Sequence, residues 1–195
     1  MSRLIVALFA VALPFTAVAA PENYTIDPNH THPHWEVNHL GMSNWRGQFG
    51  KSAGKFMIDH AAKAGSVEIT VQTASIISGD SDRGSRPRTL DEHLRSPDFF
   101  NVAEYPTMTY KSTSVKFNGD NPGTIEGNLT LLGVTKPVAL HVENWKCGPN
   151  PFTKKEMCGG NASGAFKRSE FGMKYIIPAV SDEVKLWIQI EGYKD

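Results

Sequence analysis

The chain has 195 residues, and 20 Lys plus Arg balance 20 Asp plus Glu for a formal net charge of zero. That length suits one domain, with a core large enough to hold a fold without metal or disulfide. The even charge excludes a basic field for nucleic acid and any acidic or basic tail, so no nucleic-acid partner is expected.

The opening stretch, "MSRLIVALFAVALPFTAVAA", sets Arg3 before an apolar run through Leu13 and small residues at Ala17 to Ala20. This is the layout of a cleaved secretory signal. The run is interrupted by Pro14 and is shorter than the roughly 20 residues a membrane-spanning helix needs. Cleavage after Ala19 is expected, leaving residues 1–19 as a signal peptide and residues 20–195 as one soluble, exported, periplasmic domain. No other stretch has the length to span a bilayer, so the mature protein is expected without a transmembrane segment.

In the mature chain, runs of alternating apolar and polar residues recur between clusters of Gly, Pro, Asn and Asp, which predicts a mostly β domain. The first strands are expected over Tyr24 to Leu40 and Trp45 to Ile58. "SVEITVQTASI" then places Val67, Ile69 and Val71 on one face, opposite Glu68, Thr70 and Gln72. Further strands fit Tyr105 to Phe117, Ile125 to Leu131, Val138 to Val142, Asn161 to Arg168 and Val184 to Ile190. About eight antiparallel strands can close into a barrel whose interior holds one small ligand, and closure removes the exposed edges of an open sheet. The expected class is therefore all-β, an eight-stranded antiparallel β-barrel of lipocalin size. "RPRTLDEHLRSPDFF" departs from strand periodicity, with Leu90 and Leu94 at helical spacing, a start near Thr89 and an end at Pro97. A short helix is expected there, covering one side or mouth of the barrel.

Two groups of residues invite specific chemistry. Cys147 and Cys158 flank the polar loop "GPNPFTKKEM", and in an exported protein they are expected to form a disulfide that stabilises by ~3 kcal/mol in the chain-entropy account. A redox or metal pair would instead favour CxxC spacing. "HTHPHWEVNH" holds four of the seven histidines. In an extended strand His30, His32 and His34 would align on one face, with Trp35, Val37 and His39 on the other. Three imidazoles can ligate Zn, Cu or Ni, which makes a periplasmic metal-binding module the alternative function; an exposed polar strand face is the plainer reading. Pro33 removes a ladder donor and points to an edge, bulge or bend.

The segments "YTIDPNHT", "HLGMSNWRGQFGKSAG", "LDEHLRSPDFFNVAEYPTMTYKSTSV", "GNLTLLGVTKPVAL" and "SEFGMKY", in that order, resemble the YceI family of exported, lipid-binding bacterial proteins. The resemblance covers nearly all of the mature chain. It implies a lipocalin-like barrel whose pore holds a polyisoprenoid, an isoprenoid quinone or a similar long amphiphilic lipid. His32, Pro33 and His34 stand where the family usually has small or apolar residues.

A carrier of that kind needs large inward side chains and few unsatisfied polar groups. The ligand-binding candidates are Trp35, Val37, Phe49, Phe56, Leu94, Phe99, Phe100, Met108, Tyr110, Leu129, Leu131, Val142, Phe166, Phe171 and Met173. The alternative for the same residues is a solid core. Arg83, Arg86, Arg88 and Arg95 around the helix are read in two ways, as holders of a lipid phosphate or as a solvated face with ordinary ion pairs. In the second reading Asp91, His93 and Leu94 fix the helix to the barrel. The sequence carries no HExxH, P-loop or dinucleotide fingerprint, so a binding protein rather than an enzyme is expected, with no cofactor. His39 or His93 would be the base of any lipid-modifying chemistry, and neither has an orienting partner visible in sequence. A homodimer remains open.

Overall fold

The computed structural model describes residues 20–195; the expected signal over residues 1–19 lies outside them. The elements in chain order are β1 (Glu22–Ile26), β2 (His32–His39), β3 (Ser43–Phe49), β4 (Ser52–Asp59), β5 (Ala64–Gln72), a 3-10 turn (Thr73–Ser75) and β6 (Ile76–Ile77). There follow α1 (Leu90–Arg95), β7 (Thr107–Asn118), β8 (Asn121–Leu131), β9 (Val134–Pro149), β10 (Glu156–Lys167), a second 3-10 turn (Arg168–Phe171) and β11 (Glu183–Lys194). Ladders run through β1, β4, β5, β7, β8, β9, β10 and β11, and β11 pairs back onto β1, closing an eight-stranded antiparallel barrel. No helix among the described residues is long and apolar enough to cross a membrane.

The first three expected strands are each broken in two, at neighbouring points on the wall. Asp27 ends β1 by turning the chain: its side chain accepts from the Asn29 amide at 2.9 Å and its carbonyl accepts from the His30 amide at 3.2 Å. Asp and Asn favour this local bonding over a ladder, and Pro28 between them has no amide hydrogen to give. Beside this break, Gly50 and Lys51 separate β3 from β4, and the 3-10 turn separates β5 from β6. The breaks are tied together, since the Ser52 hydroxyl donates to the Thr31 carbonyl and the Gly50 amide to the Ser75 carbonyl. Below them β1 pairs β4 and β4 pairs β5; above them β11 pairs β2, β2 pairs β3 and β3 pairs β6. Pro33 falls at the start of β2, facing Ile188 of β11 and preceding the first rung with β3. A proline is tolerated there because no β3 carbonyl awaits its missing hydrogen.

β6 ends the upper ladder and has no strand on its far side. The helix fills that seam, as expected. A capping box starts it, with the Glu92 amide donating to the Thr89 hydroxyl and the Thr89 amide to the Glu92 carboxylate. The Asp91 carboxylate accepts from the Ser78 amide at 2.8 Å, and Arg95 donates to the carbonyls of Ala74 and Ile76 at 2.9 and 3.0 Å. A guanidinium thus supplies donors where a neighbouring strand would have done.

The two ends of the barrel differ. At the β1 end Tyr24 stacks on Phe56 with centroids 4.8 Å apart, and Trp145 meets Phe56 edge-on at 5.5 Å, so aromatic rings fill the interior. Cys147 and Cys158 are register partners there and are joined as a disulfide. The loop between them is shorter than expected, Asn150 to Lys155, since β9 runs to Pro149 and β10 starts at Glu156. The other end carries α1, the β2–β3 turn and the segment from Arg168 to β11.

Close approach inside the wall demands missing side chains. Trp35 lies opposite Gly47 and its ring covers that residue, so a Cβ added there would strike the indole and the Ile77 carbonyl. Gly47→Ala is expected to lower the unfolding free energy by roughly 1–3 kcal/mol, the usual cost of overpacking. A lower urea midpoint at unchanged slope checks this; an unchanged midpoint would contradict the packing.

Candidate ligand-binding pore

The inward faces of the strands enclose a cavity of about 310 Å3. Its wall is almost wholly hydrocarbon, with Val67, Ile69 and Val71 from β5, Leu129 and Leu131 from β8, and Leu186, Ile188 and Ile190 from β11. Period-2 alternation makes this wall, because every second side chain of each strand must point inward. Val67, Ile125, Ala162 and Ile190 form a neck to a second void of about 40 Å3, which ends against Phe56 and Trp145. The pore is therefore closed at the β1 end and faces the helix end.

Of the residues named from sequence, Trp35, Val37, Phe49, Leu94, Phe99, Phe100, Met108, Tyr110, Leu129, Leu131, Phe166 and Met173 line the main cavity. Phe56 and Val142 line the small void instead. Phe171 lines neither; it is 1% exposed and packs edge-on against Phe166, 5.3 Å between centroids. Sequence reasoning left out Ile125, Val138, Leu140 and Ile190 as site residues, although alternation had already placed them on oily faces.

The Tyr110 hydroxyl beside the pore is spent on the protein itself. Tyr110 lies over Gly127, and its hydroxyl reaches the Val138 carbonyl at 2.9 Å and that of Ile125 at 3.2 Å. Burial, aided by the charge of Glu126, pushes this phenol above its ordinary pKa, so it stays a neutral donor. Among the side chains of the described residues, only the indole nitrogens of Trp35 and Trp145 are buried without a hydrogen-bond partner.

The mouth is fastened by Arg168, a residue missed from sequence. It is 2% exposed, and its guanidinium donates to four carbonyls: Ser181 at 2.9 Å, Met173 at 3.3 Å, Tyr175 at 2.9 Å and Val180 at 2.9 Å. One planar fork thereby holds the whole Met173–Ser181 segment in place. Burial draws the guanidinium below its ordinary pKa, and the nearby Asp182 opposes that shift. The only sequence signal was a charge at the end of an alternating strand, which reads equally as an exposed terminus.

Across the mouth, Tyr175 meets His93 and Phe99 edge-on at 5.2 and 5.4 Å. His93 has an orienting partner that was not visible in sequence: Nε2 lies 2.8 Å from the Asp98 carboxylate, which also accepts from Arg88 at 2.9 Å. The hydrogen bond to His93, then that to Arg88, holds Asp98 below the usual carboxylate pKa. Arg86 pairs with Asp80 through both terminal nitrogens and Arg95 is spent on the seam, so the arginines form intramolecular contacts, as in the plainer of their two readings.

The histidine cluster does not converge. His30 lies in the turn before β2, where Nδ1 is 2.8 Å from Asp27, an ion-pair contact that raises its pKa. His32 faces the carbonyls of Phe49 and Asn29 with its two nitrogens, while His34 and His39 border the pore. Among the described residues no group of three His, Cys, Asp or Glu side chains is placed to hold a metal ion. The expected alignment fails because the Asp27 turn removes His30 from the strand.

A closed antiparallel barrel around an apolar pore places the protein among lipocalin-like barrels. Residues 24–192 match the YceI-like domain, and the chain belongs to that family. It is 37% identical over 196 residues to Protein YceI of Escherichia coli, covering 98% of each chain. Among solved structures, Burkholderia cenocepacia BcnA superposes with a TM-score of 0.66 at 22% identity, over 85% of this chain and 98% of that one. A polyisoprenoid binding domain from Saccharophagus degradans, implicated in plant cell wall breakdown, gives 0.60 at 13% identity over 88% of this chain and 98% of that one. At these identities the two structures establish the shared fold.

Arg168→Met should cost on the order of 3 kcal/mol, since several bonds worth about 1 kcal/mol each are lost and their carbonyls stay buried. Hydrogen exchange across residues 173–181 should accelerate, with Arg168→Lys restoring only part of the protection. For Asp98 the depressed folded pKa means that its contribution is present above the unfolded value of about 3.9 and is lost as pH falls through the lower folded value. The near-ultraviolet signal of the Tyr175 cluster should therefore weaken in acid, and Asp98→Asn should remove the acid step.

Proposed function

We propose that residues 20–195 form one exported, periplasmic binding unit that carries or sequesters a polyisoprenoid, an isoprenoid quinone or a similar long amphiphilic lipid. The observation that carries this reading is the shape and chemistry of the pore: a hydrocarbon-lined cavity of about 310 Å3, blocked at one end by Tyr24, Phe56 and Trp145. Each square ångström of apolar surface taken from water is worth roughly 25 cal/mol, so a flexible hydrocarbon chain gains affinity along its length. A single closed end suits a ligand that enters tail first and leaves its head near the mouth. The polyisoprenoid binding domain from Saccharophagus degradans shares the fold and supports the choice of ligand class. On this reading the protein acts by holding its ligand, and residues 1–19 direct its export.

Solvent extraction of protein purified without detergent, followed by mass spectrometry, should release a lipid, and the intact mature chain should begin at Ala20. An empty protein that also ignores added isoprenoid probes would refute the carrier. Ala162→Phe should obstruct the neck beside the small void. Long isoprenoids are expected to lose about tenfold in affinity, roughly 1.4 kcal/mol, while short ones bind as before; equal losses for both lengths would contradict a tail-first pose.

A further inference from the structure

Of the seven large apolar side chains most exposed among the described residues, four gather at one end of the barrel, while Ile77, Phe152 and Trp187 stand apart from them. Leu40 and Met42, at the tip of the β2–β3 turn, are 54% and 87% exposed, and Tyr175 and Ile176 are 43% and 47% exposed. The two tips are one structure: the Leu40 amide donates to the Ala179 carbonyl at 2.7 Å, and His39 bridges to Val180. Tyr175 and Ile176 belong at once to this outer rim and to the cavity wall. The opposite end carries one exposed aromatic, Phe152, among charged groups such as Lys63 facing Asp120 and Lys55 facing Asp195.

Leu40 and Ile176 both hold left-handed backbone angles, φ 58° and 56°, a region that bulky and β-branched residues rarely adopt. The exposed Lys174 adjoins the second tip and, among the described residues, makes no ion pair. Two small protruding tips do not offer the flat face that a rigid protein partner needs. They suit a soft surface into which a few side chains insert, with a tyrosine at the interface and a lysine at the level of anionic head groups.

We propose that this rim docks on a lipid bilayer, with Leu40, Met42, Tyr175 and Ile176 entering the interfacial layer and the mouth turned toward the membrane. The apolar surface is then continuous from the bilayer through Tyr175 and Ile176 into the pore, so a hydrocarbon tail passes between them without crossing water. The inference rests on the carrier reading and adds a partner to it, an anionic bilayer surface.

Sedimentation with phosphatidylcholine vesicles containing phosphatidylglycerol tests it, alongside binding of a short, soluble fluorescent farnesyl probe to the free protein. The wild-type chain should bind both. The Leu40→Asn, Met42→Glu double variant changes residues outside the cavity wall and should bind the probe as before while losing at least tenfold in vesicle affinity. Phe152→Glu, an exposed aromatic at the opposite end, should sediment like the wild type. Probe binding without sedimentation of the wild type would overturn docking and leave the carrier standing, as would equal sedimentation of the double variant. Concentration-dependent dimerisation abolished by the double variant would overturn it in favour of a second copy as the occupant. Loss of probe binding by the wild type would refute the carrier and the docking together.

Discussion

One edge of β11 serves two partners, β1 over Gly192–Lys194 and β2 over Lys185–Gln189. The architecture depends on this sharing. Because β1 and β2 are separated by the Asp27 turn, the wall closes tightly on one side of the break and stays open on the other. The aromatic plug forms where β1, β4 and β11 close the ring; the pore opens where β2, β3 and β6 leave a seam for the helix. The adjacent breaks in β3–β4 and β5–β6 follow from it, since ladder partners must change together to keep their hydrogen bonds.

The pore and its mouth are built on opposite chemical rules. Inside, hydrocarbon predominates, and the Tyr110 hydroxyl is turned back onto strand carbonyls. At the mouth, order comes from charge: Arg168 gathers four carbonyls on one side, and Asp98 joins His93 and Arg88 on the other. Edge-on aromatic contacts from Tyr175 to His93 and Phe99 connect the two sides. A lining without hydrogen-bond partners grips a tail without fixing its position, whereas the polar fastenings keep the rim in register.

Much of the wall was legible in the sequence because alternation is a local signal. Val67, Ile69 and Val71, or Leu186, Ile188 and Ile190, are assigned to one face by spacing alone, and the structure puts them on the cavity. The capping box around Thr89 and Glu92 is equally local, so the helix was legible too. Phe171 was misplaced among the pore residues because a 3-10 turn has no period-2 rule to say where its side chain points. His30 was aligned with His32 and His34 by assuming an unbroken strand through a turn that Asp27 and Asn29 make for themselves.

The sequence by itself determined the class of the protein: the number of alternating runs gives about eight wall strands, and their oily faces require an enclosed apolar interior. It also determined which cysteines and which short helix stand apart from that pattern. Only the tertiary structure decided which end of the barrel is filled and which is open. It alone showed that Arg168 fastens the mouth and that Leu40, Met42, Tyr175 and Ile176 share one rim. The physical reason is range. Alternation and capping act between near neighbours, whereas ring closure, the four carbonyls around one guanidinium and the meeting of two distant turns exist only once the chain has come together.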